Sequence, residues 1–229
     1  MTYNPNDVAS WPGFCPLIIA HDVARSRDRS TAVVGGLSLY GAPLLGVGAA
    51  EELPQGQFGA ARASALAVVD RRYHHDSLIV ADLSNDPSYA DSLVQTFGAR
   101  VIGVQIGRSG NGIQAEIRST QHGYLPVYNV GRTFLIESLH GEFQADRVRL
   151  GKSPEIVRAY EQLANLELEY RETGAVYTCA SGRHDDLGIS LAMLAWAARH
   201  PHLAVWTRNM QAARQPRRPR PKKSWEAWT

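Results

Sequence analysis

The chain has 229 residues, 44% of them hydrophobic and 20% charged, with a net charge of +2; this is the make-up of one globular domain with a single core, not of a fibrous or disordered protein. No apolar run approaches the ~18 residues of a membrane helix, the first residues lack the basic and apolar regions of a signal peptide, and two cysteines, Cys15 and Cys179, are too few for a disulfide framework. These features set the expectation of a cytoplasmic protein with no membrane partner.

Residues 1–16 hold Pro5, Pro12, Gly13 and Pro16 and read as an N-terminal arm. Leu17 to Val23 is a continuous apolar run closed by Asp22, which suits a strand buried on both faces. After a polar turn at Arg25–Ser30, the β-branched run Thr31–Leu37 predicts a second strand returning antiparallel, and Leu44–Ala50 a third. Phe58–Tyr73 is Ala-rich with apolar residues at helical spacing, so a helix is expected. Leu78–Asp82 reads as a strand. Pro87–Phe97 reads as a helix with Asp86 as its N-cap, Pro87 at its first position and Gly98 past its end. With a further strand at Val101–Ile106, this makes a βαβ unit with parallel strands and a right-handed crossover.

Gly107–Gly123 is polar and Gly-rich and suggests a mobile loop or a small hairpin. A helix is expected over Arg132–Phe143, a short strand over Arg147–Leu150, and a helix from Ser153-Pro154-Glu155 to about Arg171. Ala175–Cys179 reads as a short strand. Asp185–Arg199 reads as an apolar helix with Leu187, Leu191, Leu194 and Ala198 on one face. The expected domain runs from 17 to 205. Beyond it, 206–229 reads as a flexible tail whose stretch Arg214–Lys223 holds Arg214, Arg217, Arg218, Arg220, Lys222 and Lys223 and no acid. Taking those six from the 24 basic residues leaves 18 against 22 acids, so the rest of the chain is net −4. A basic block of this kind either contacts nucleic acid or serves solubility.

A meander of three strands, then alternating helices and strands, then a closing helix is the element order of an RNase H-like α/β fold, a mixed sheet flanked by helices. In that order three acids fall at element ends. Asp22 ends the first strand, Asp82 ends Leu78-Ile79-Val80-Ala81, and Asp185 opens the last helix. A charge at the tip of a buried strand is costly unless something pairs with it. Three of them sharing divalent ions would offset that cost. Hard oxygen donors suit Mg²⁺ or Mn²⁺, and two such ions can clamp a phosphodiester for in-line hydrolysis.

Each acid has an ordinary reading as well. Asp22 could be a turn acid. Asx residues before helices are often caps, a role that Asp86 would take from Asp82. Acids in a first helical turn, such as Asp185 and Asp186 after His184, suit the helix dipole. Asp28 reads as a turn residue in a charged loop. Other chemistries lack their motifs: there is no P-loop, Gly107-Arg108-Ser109-Gly110-Asn111-Gly112 opens no helix, His74-His75-Asp76 lacks further ligands, and no Gly-x-Ser-x-Gly elbow occurs.

Several segments together resemble a known family. Ile19-Ala20-His21-Asp22 with Asp28-Arg29-Ser30-Thr31-Ala32-Val33-Val34-Gly35 is similar to the opening of the nuclease domain of tailed-phage terminase large subunits. Ile79-Val80-Ala81-Asp82 and Leu93 through Gly98-Ala99-Arg100-Val101-Ile102-Gly103-Val104 resemble its second-acid segment. Gly131-Arg132-Thr133-Phe134-Leu135-Ile136 and Gly182-Arg183-His184-Asp185-Asp186-Leu187, with Leu191-Ala192-Met193-Leu194-Ala195-Trp196, resemble its C-terminal part. The resemblance covers about 17–199, and the His-Asp-Asp-Leu helix start is its most specific piece.

The resemblance implies an endonuclease that cuts concatemeric phage or prophage DNA during packaging, with two Mg²⁺ or Mn²⁺ ions. It implies Asp22, Asp82 and Asp185 as catalytic metal ligands, Asp22 bridging the ions, and Asp28, Asp186 and His184 as assisting groups. The partners implied are double-stranded DNA and, for a whole packaging machine, an ATPase domain, a portal and a small terminase subunit. Arg25, Arg27, Arg108 and Arg183 near the acids, and Arg217, Arg218, Arg220, Lys222 and Lys223 in the tail, are the candidate DNA contacts. A full large subunit carries an ATPase domain before the nuclease. None is seen here, which is consistent with an isolated domain or a separately encoded product. A junction-resolving nuclease of the same fold, and a non-enzymatic DNA-binding or motor-docking module with a structural ion site, stay open as alternatives.

Overall fold

The structure, a computed structural model, describes residues 18–23, 29–37, 44–73, 76–107, 111–171, 174–179 and 184–201. In chain order these form β1 (Ile18–Asp22), β2 (Thr31–Leu37), β3 (Leu45–Glu52), α1 (Gly59–Tyr73), β4 (Leu78–Asp82), α2 (Tyr89–Phe97), a short 3₁₀ turn (Gly98–Arg100), β5 (Val101–Gly107), β6 (Asn111–Thr120), β7 (Gly123–Gly131), α3 (Arg132–Gln144), β8 (Val148–Leu150), α4 (Pro154–Ala164), β9 (Glu167–Arg171), β10 (Gly174–Thr178) and α5 (Asp186–Arg199). Eight strands make one mixed sheet in the order β6-β7-β5-β4-β1-β2-β3-β8, and β9 and β10 form a separate ribbon. The meander β1–β2–β3 is antiparallel, while β4 pairs parallel to β1 and β5 parallel to β4. This is the expected RNase H-like α/β arrangement, including the parallel β4–α2–β5 unit.

Strand alternation sorts the core into two layers. Ile18 and Ala20 of β1, with Leu78 and Val80 of β4, face a layer built on Leu187, Leu191 and Leu194 of α5. Ile19 and Ile79 face the other way, onto Leu66 of α1 and Leu93 of α2. Helix α5 is buried at every position from Leu187 to Ala198, because it lies between the sheet on one side and α3 and α4 on the other. That burial fixes where its N-terminus meets the ends of β1 and β4.

Several sequence expectations need correction. Helix α2 begins at Tyr89 with Ser88 as its N-cap, not at Pro87. Asp86 sits in the preceding turn, where its Oδ1 accepts from Ser88 Oγ at 2.5 Å and its Oδ2 pairs with Arg62 at 3.3 Å. The hairpin expected after β5 is long, with β6 and β7 joining the main sheet. Pro126 is accommodated in β7 because it precedes the stretch paired with β5, which begins at Val127. The helix that starts on Ser153, whose side chain accepts from Ile156 N at 3.3 Å, ends at Ala164 and not near Arg171. Residues 167–171 instead alternate Glu, Leu, Glu, Tyr, Arg and pair antiparallel with β10. The strand expected at 175–179 therefore belongs to the ribbon and not to the main sheet. The arm, the tail and the turn at 24–28 lie outside the described residues.

Candidate active site

Parallel pairing in register places the ends of β1 and β4 side by side, with His21 opposite Ala81. Asp22 and Asp82 follow on neighbouring strands and share the parity of Ala20 and Val80, so both point to the α5 face. Both are buried. The Asp22 and Asp82 carboxyls lie within hydrogen-bond reach of each other. Burial raises the Asp22 pKa well above the usual carboxylate range, and the charges of Asp82 and Asp186 push it further in the same direction. Burial also raises Asp82, opposed by hydrogen bonds from Ser84. The charge of Arg132 opposes the shift at Asp22 without cancelling it.

The frame around the pair is polar and specific. Ser84 donates to Asp82 Oδ1 twice, from its N at 2.9 Å and its Oγ at 2.5 Å, and Ser84 Oγ accepts from Ile106 N at 2.6 Å. Asp82 thus serves as a turn acid as well, a role that reading Asp86 as the cap had removed from it. Asn85 Nδ2 donates to the Val23 carbonyl at 3.2 Å, tying the β4 loop to the end of β1. On the α5 side, Asp22 N donates to Ser190 Oγ at 3.2 Å. Ser190 Oγ in turn shares a 2.7 Å hydrogen bond with Thr31 Oγ1, and Thr31 also donates to the Asp186 carbonyl at 3.1 Å. Thr31 stands opposite Asp22 in the β1–β2 register, so β2 and α5 fix the Asp22 backbone together.

The two acids of the α5 start are used differently. Asp185 is the N-cap residue but makes no side-chain capping bond; its carboxylate pairs with Arg132. Asp186, the first helical residue, is the one whose charge acts on Asp22. Asp22, Asp82, Asp185, Asp186, Arg132 and Ser84 all line one open cleft of about 460 Å³. His184 is exposed and lines a neighbouring hollow with Asp186 and Arg158. Among the described residues, no set of three His, Cys, Asp or Glu groups is disposed to hold a metal ion as it stands. Asp28, Arg25, Arg27, Arg108, Arg183, Arg217, Arg218, Arg220, Lys222 and Lys223 lie outside the described residues.

Sequence reasoning gave no role to Arg132, Ser84, Ser190 or Thr31. Arg132 had a usable signal. A cation in the first turn of a helix opposes the helix dipole, so an arginine directly after Gly131 at the start of α3 implies an acidic partner. The other three act through register and loop geometry, which no residue type announces.

No protein-family profile and no curated protein sequence matches the chain. Solved structures do. The large terminase nuclease from thermophilic phage G20c superposes with a TM-score of 0.51 at 20% identity, over 79% of this chain and 81% of that one. The same nuclease with bound magnesium gives 0.53 at 19% identity, over 78% and 79%. The chain therefore has the fold of phage large terminase nuclease domains, as its sequence segments suggested.

Proposed function

We propose that this protein is a metal-dependent DNA endonuclease that cuts concatemeric phage or prophage DNA during genome packaging. The observation that carries the reading is the buried Asp22–Asp82 pair, side by side on parallel strands at the mouth of a cleft, with Asp186 close enough to raise the pKa of Asp22. Two buried acids side by side, both with carboxyl pKa values raised by burial, fit a divalent ion, and an all-oxygen donor set suits Mg²⁺ or Mn²⁺. The likeness to a nuclease solved with magnesium supports the same reading.

In this reading Asp22 and Asp82 would be the residues that hold the divalent metal. The third carboxylate comes from the α5 start, where Asp186 already acts on Asp22 and Asp185 is held by Arg132. Bound there, the ions would lower the pKa of the attacking water and neutralise charge on the phosphate and the leaving oxygen. Ser84 keeps Asp82 aimed into the cleft through its two donors. Ser190 and Thr31 hold the Asp22 backbone, which keeps Asp22 beside Asp82. Residues 17–205 would form the nuclease domain, with 1–16 as an arm and the basic tail 206–229 contacting double-stranded DNA. An ATPase domain, a portal and a small terminase subunit are the packaging partners of this reading. Contacts to the DNA backbone carry no base information, so cutting would be largely indifferent to sequence.

The purified chain should nick supercoiled plasmid with Mn²⁺ and not with EDTA. Asp82→Asn, which keeps the shape but removes the charge, should lose at least about a hundredfold in rate, as expected when a transition-state electrostatic group is removed. Equal nicking by Asp82→Asn would refute the assignment, and a strong preference for four-way junctions over linear duplex would make the protein a junction resolvase instead.

A further inference from the structure

Arg132 lies in the wall of the acidic cleft, and its guanidinium is fastened at two points. Its Nε donates to the Tyr177 carbonyl of β10 at 3.0 Å, and its Nη2 pairs with Asp185. The neighbouring Thr133 Oγ1 donates to the Ala175 carbonyl of the same strand at 3.3 Å. The N-terminus of α3 is thereby attached to the ribbon β9–β10, which among the described residues has no pairing with the main sheet. The charges of Asp22 and Asp186 also act on Arg132, so one guanidinium sits in the field of three of the four cleft carboxylates. A cation at the N-terminal end of its own helix, three-quarters shielded from solvent, is unfavourable there without those acids.

We infer that Arg132 is a positioning residue, an internal counter-ion that holds Asp185 out of the carboxylate cluster and competes with divalent metal for it. The inference rests on the nuclease reading for the identity of the site, but its test is separate. Three features carry it: Asp185 makes no capping bond and gives its carboxylate to Arg132; among the described residues no three-ligand set stands ready; and Arg132 has a second anchor, the Tyr177 carbonyl, that does not involve Asp185. To hold a metal ion, Asp185 would have to give up its pairing with Arg132, and the guanidinium would remain as a positive charge beside the site. Removing that charge should strengthen metal binding, whereas removal of a merely structural arginine would weaken it or leave it unchanged.

The test is Mn²⁺ and Mg²⁺ affinity of the full chain, measured by calorimetry for wild type, Arg132→Gln and Arg132→Lys, alongside Asp22→Asn. Arg132→Gln should bind at least about tenfold more tightly than wild type, the scale of one unit charge a few ångströms away at a partly solvated site. Arg132→Lys keeps the charge and should stay within about threefold. The wild type supplies an independent readout if Arg132→Gln fails to fold. The Arg132 Nε–H resonance should be protected from exchange without metal and should shift as Mg²⁺ saturates the site. Weaker or unchanged metal binding by folded Arg132→Gln, or Mg²⁺ saturation that leaves the Arg132 resonance in place, overturns the inference while the nuclease reading stands. If wild type and Asp22→Asn take up metal equally, the site reading itself fails, and the role of Arg132 with it.

Discussion

At the scale of single residues, the end of β1 presents two titratable side chains to opposite faces of the sheet. Asp22 faces the cleft. His21 faces the α1–α2 layer, where its Nδ1 donates to the Thr31 carbonyl at 2.8 Å and its ring meets the edge of Tyr89 at 5.8 Å. Its Nε2 is buried and has no hydrogen-bond partner among the described residues. Burial, aided by the charge of Arg62 and opposed by the Thr31 bond, lowers its pKa to about 4. The unfolded chain takes up a proton near pH 6.5 and the folded one only near 4, so unfolding binds the extra proton between those values. The stabilisation from a neutral His21 is complete above pH 6.5 and is lost as pH falls through that window, about 3 kcal/mol in all. Asp22 and Asp82, with raised pKa values, work in the opposite sense: their contribution is present at low pH and lost as pH rises through their folded values. The His21 ring itself separates the two effects. Its Hε1 resonance should keep a neutral shift down to about pH 4, and a titration midpoint near 6.5 would show that the ring is not sealed in the layer.

At the scale of elements, the packing of α5 onto the meander places the acids of the α5 start beside Asp22, and Gly35 of β2 sets how closely it approaches. A Cβ at Gly35 would overlap the Gly46 carbonyl oxygen and come within 2.8 Å of Leu194 Cδ2. Leu194 can rotate; a strand carbonyl cannot. Gly35→Ala should therefore cost about 1–3 kcal/mol, read as a fall of roughly 2–12 °C in Tm. An unchanged Tm would mean that β2 and β3 shift apart at little cost. Gly35 was legible only as one residue of a β-branched run, since its close approach comes from β3 and α5. The elements that the sequence revealed best, β1, β2, β4 and α5, are those whose apolar pattern is dictated by burial on both faces. Ribbon strand β9 has no such support. Leu168 is half-exposed and Tyr170 is 81% exposed, so its alternation competed with the helix-favouring Glu, Leu and Arg that follow α4, and the ending at Asn165 rests on bonds to the Glu161 carbonyl from the Asn165 N at 3.0 Å and Nδ2 at 2.7 Å. At the site, Asp22 and Asp82 were legible because each closes an apolar strand. The unequal roles of Asp185 and Asp186 were not, because they depend on an arginine 53 positions away.

At the scale of the whole molecule, charge is the issue. Outside the block Arg214–Lys223 the chain is net −4, and the proposed substrate is a polyanion. The acidic cleft adds to the repulsion until cations enter it. In the nuclease reading the basic block of the tail would offset this. Deleting residues 214–229 should weaken DNA binding and reduce the slope of log K against log salt by up to about five, if all six charges reach phosphates. Metal affinity should stay the same, because every proposed ligand lies before residue 187. Unchanged DNA affinity and salt slope would assign DNA contact to the body of the domain alone. Among the described residues no helix is long and apolar enough to cross a membrane.

The proposed divalent cation site at the Asp22–Asp82 pair is tested most directly by an anomalous difference map from crystals soaked in Mn²⁺. At least one peak should lie within about 2.0–2.3 Å of oxygens from both Asp22 and Asp82, the range for small divalent ions on carboxylates. A map in which Mn²⁺ occupies other positions while these two carboxylates remain hydrogen-bonded to each other would contradict it.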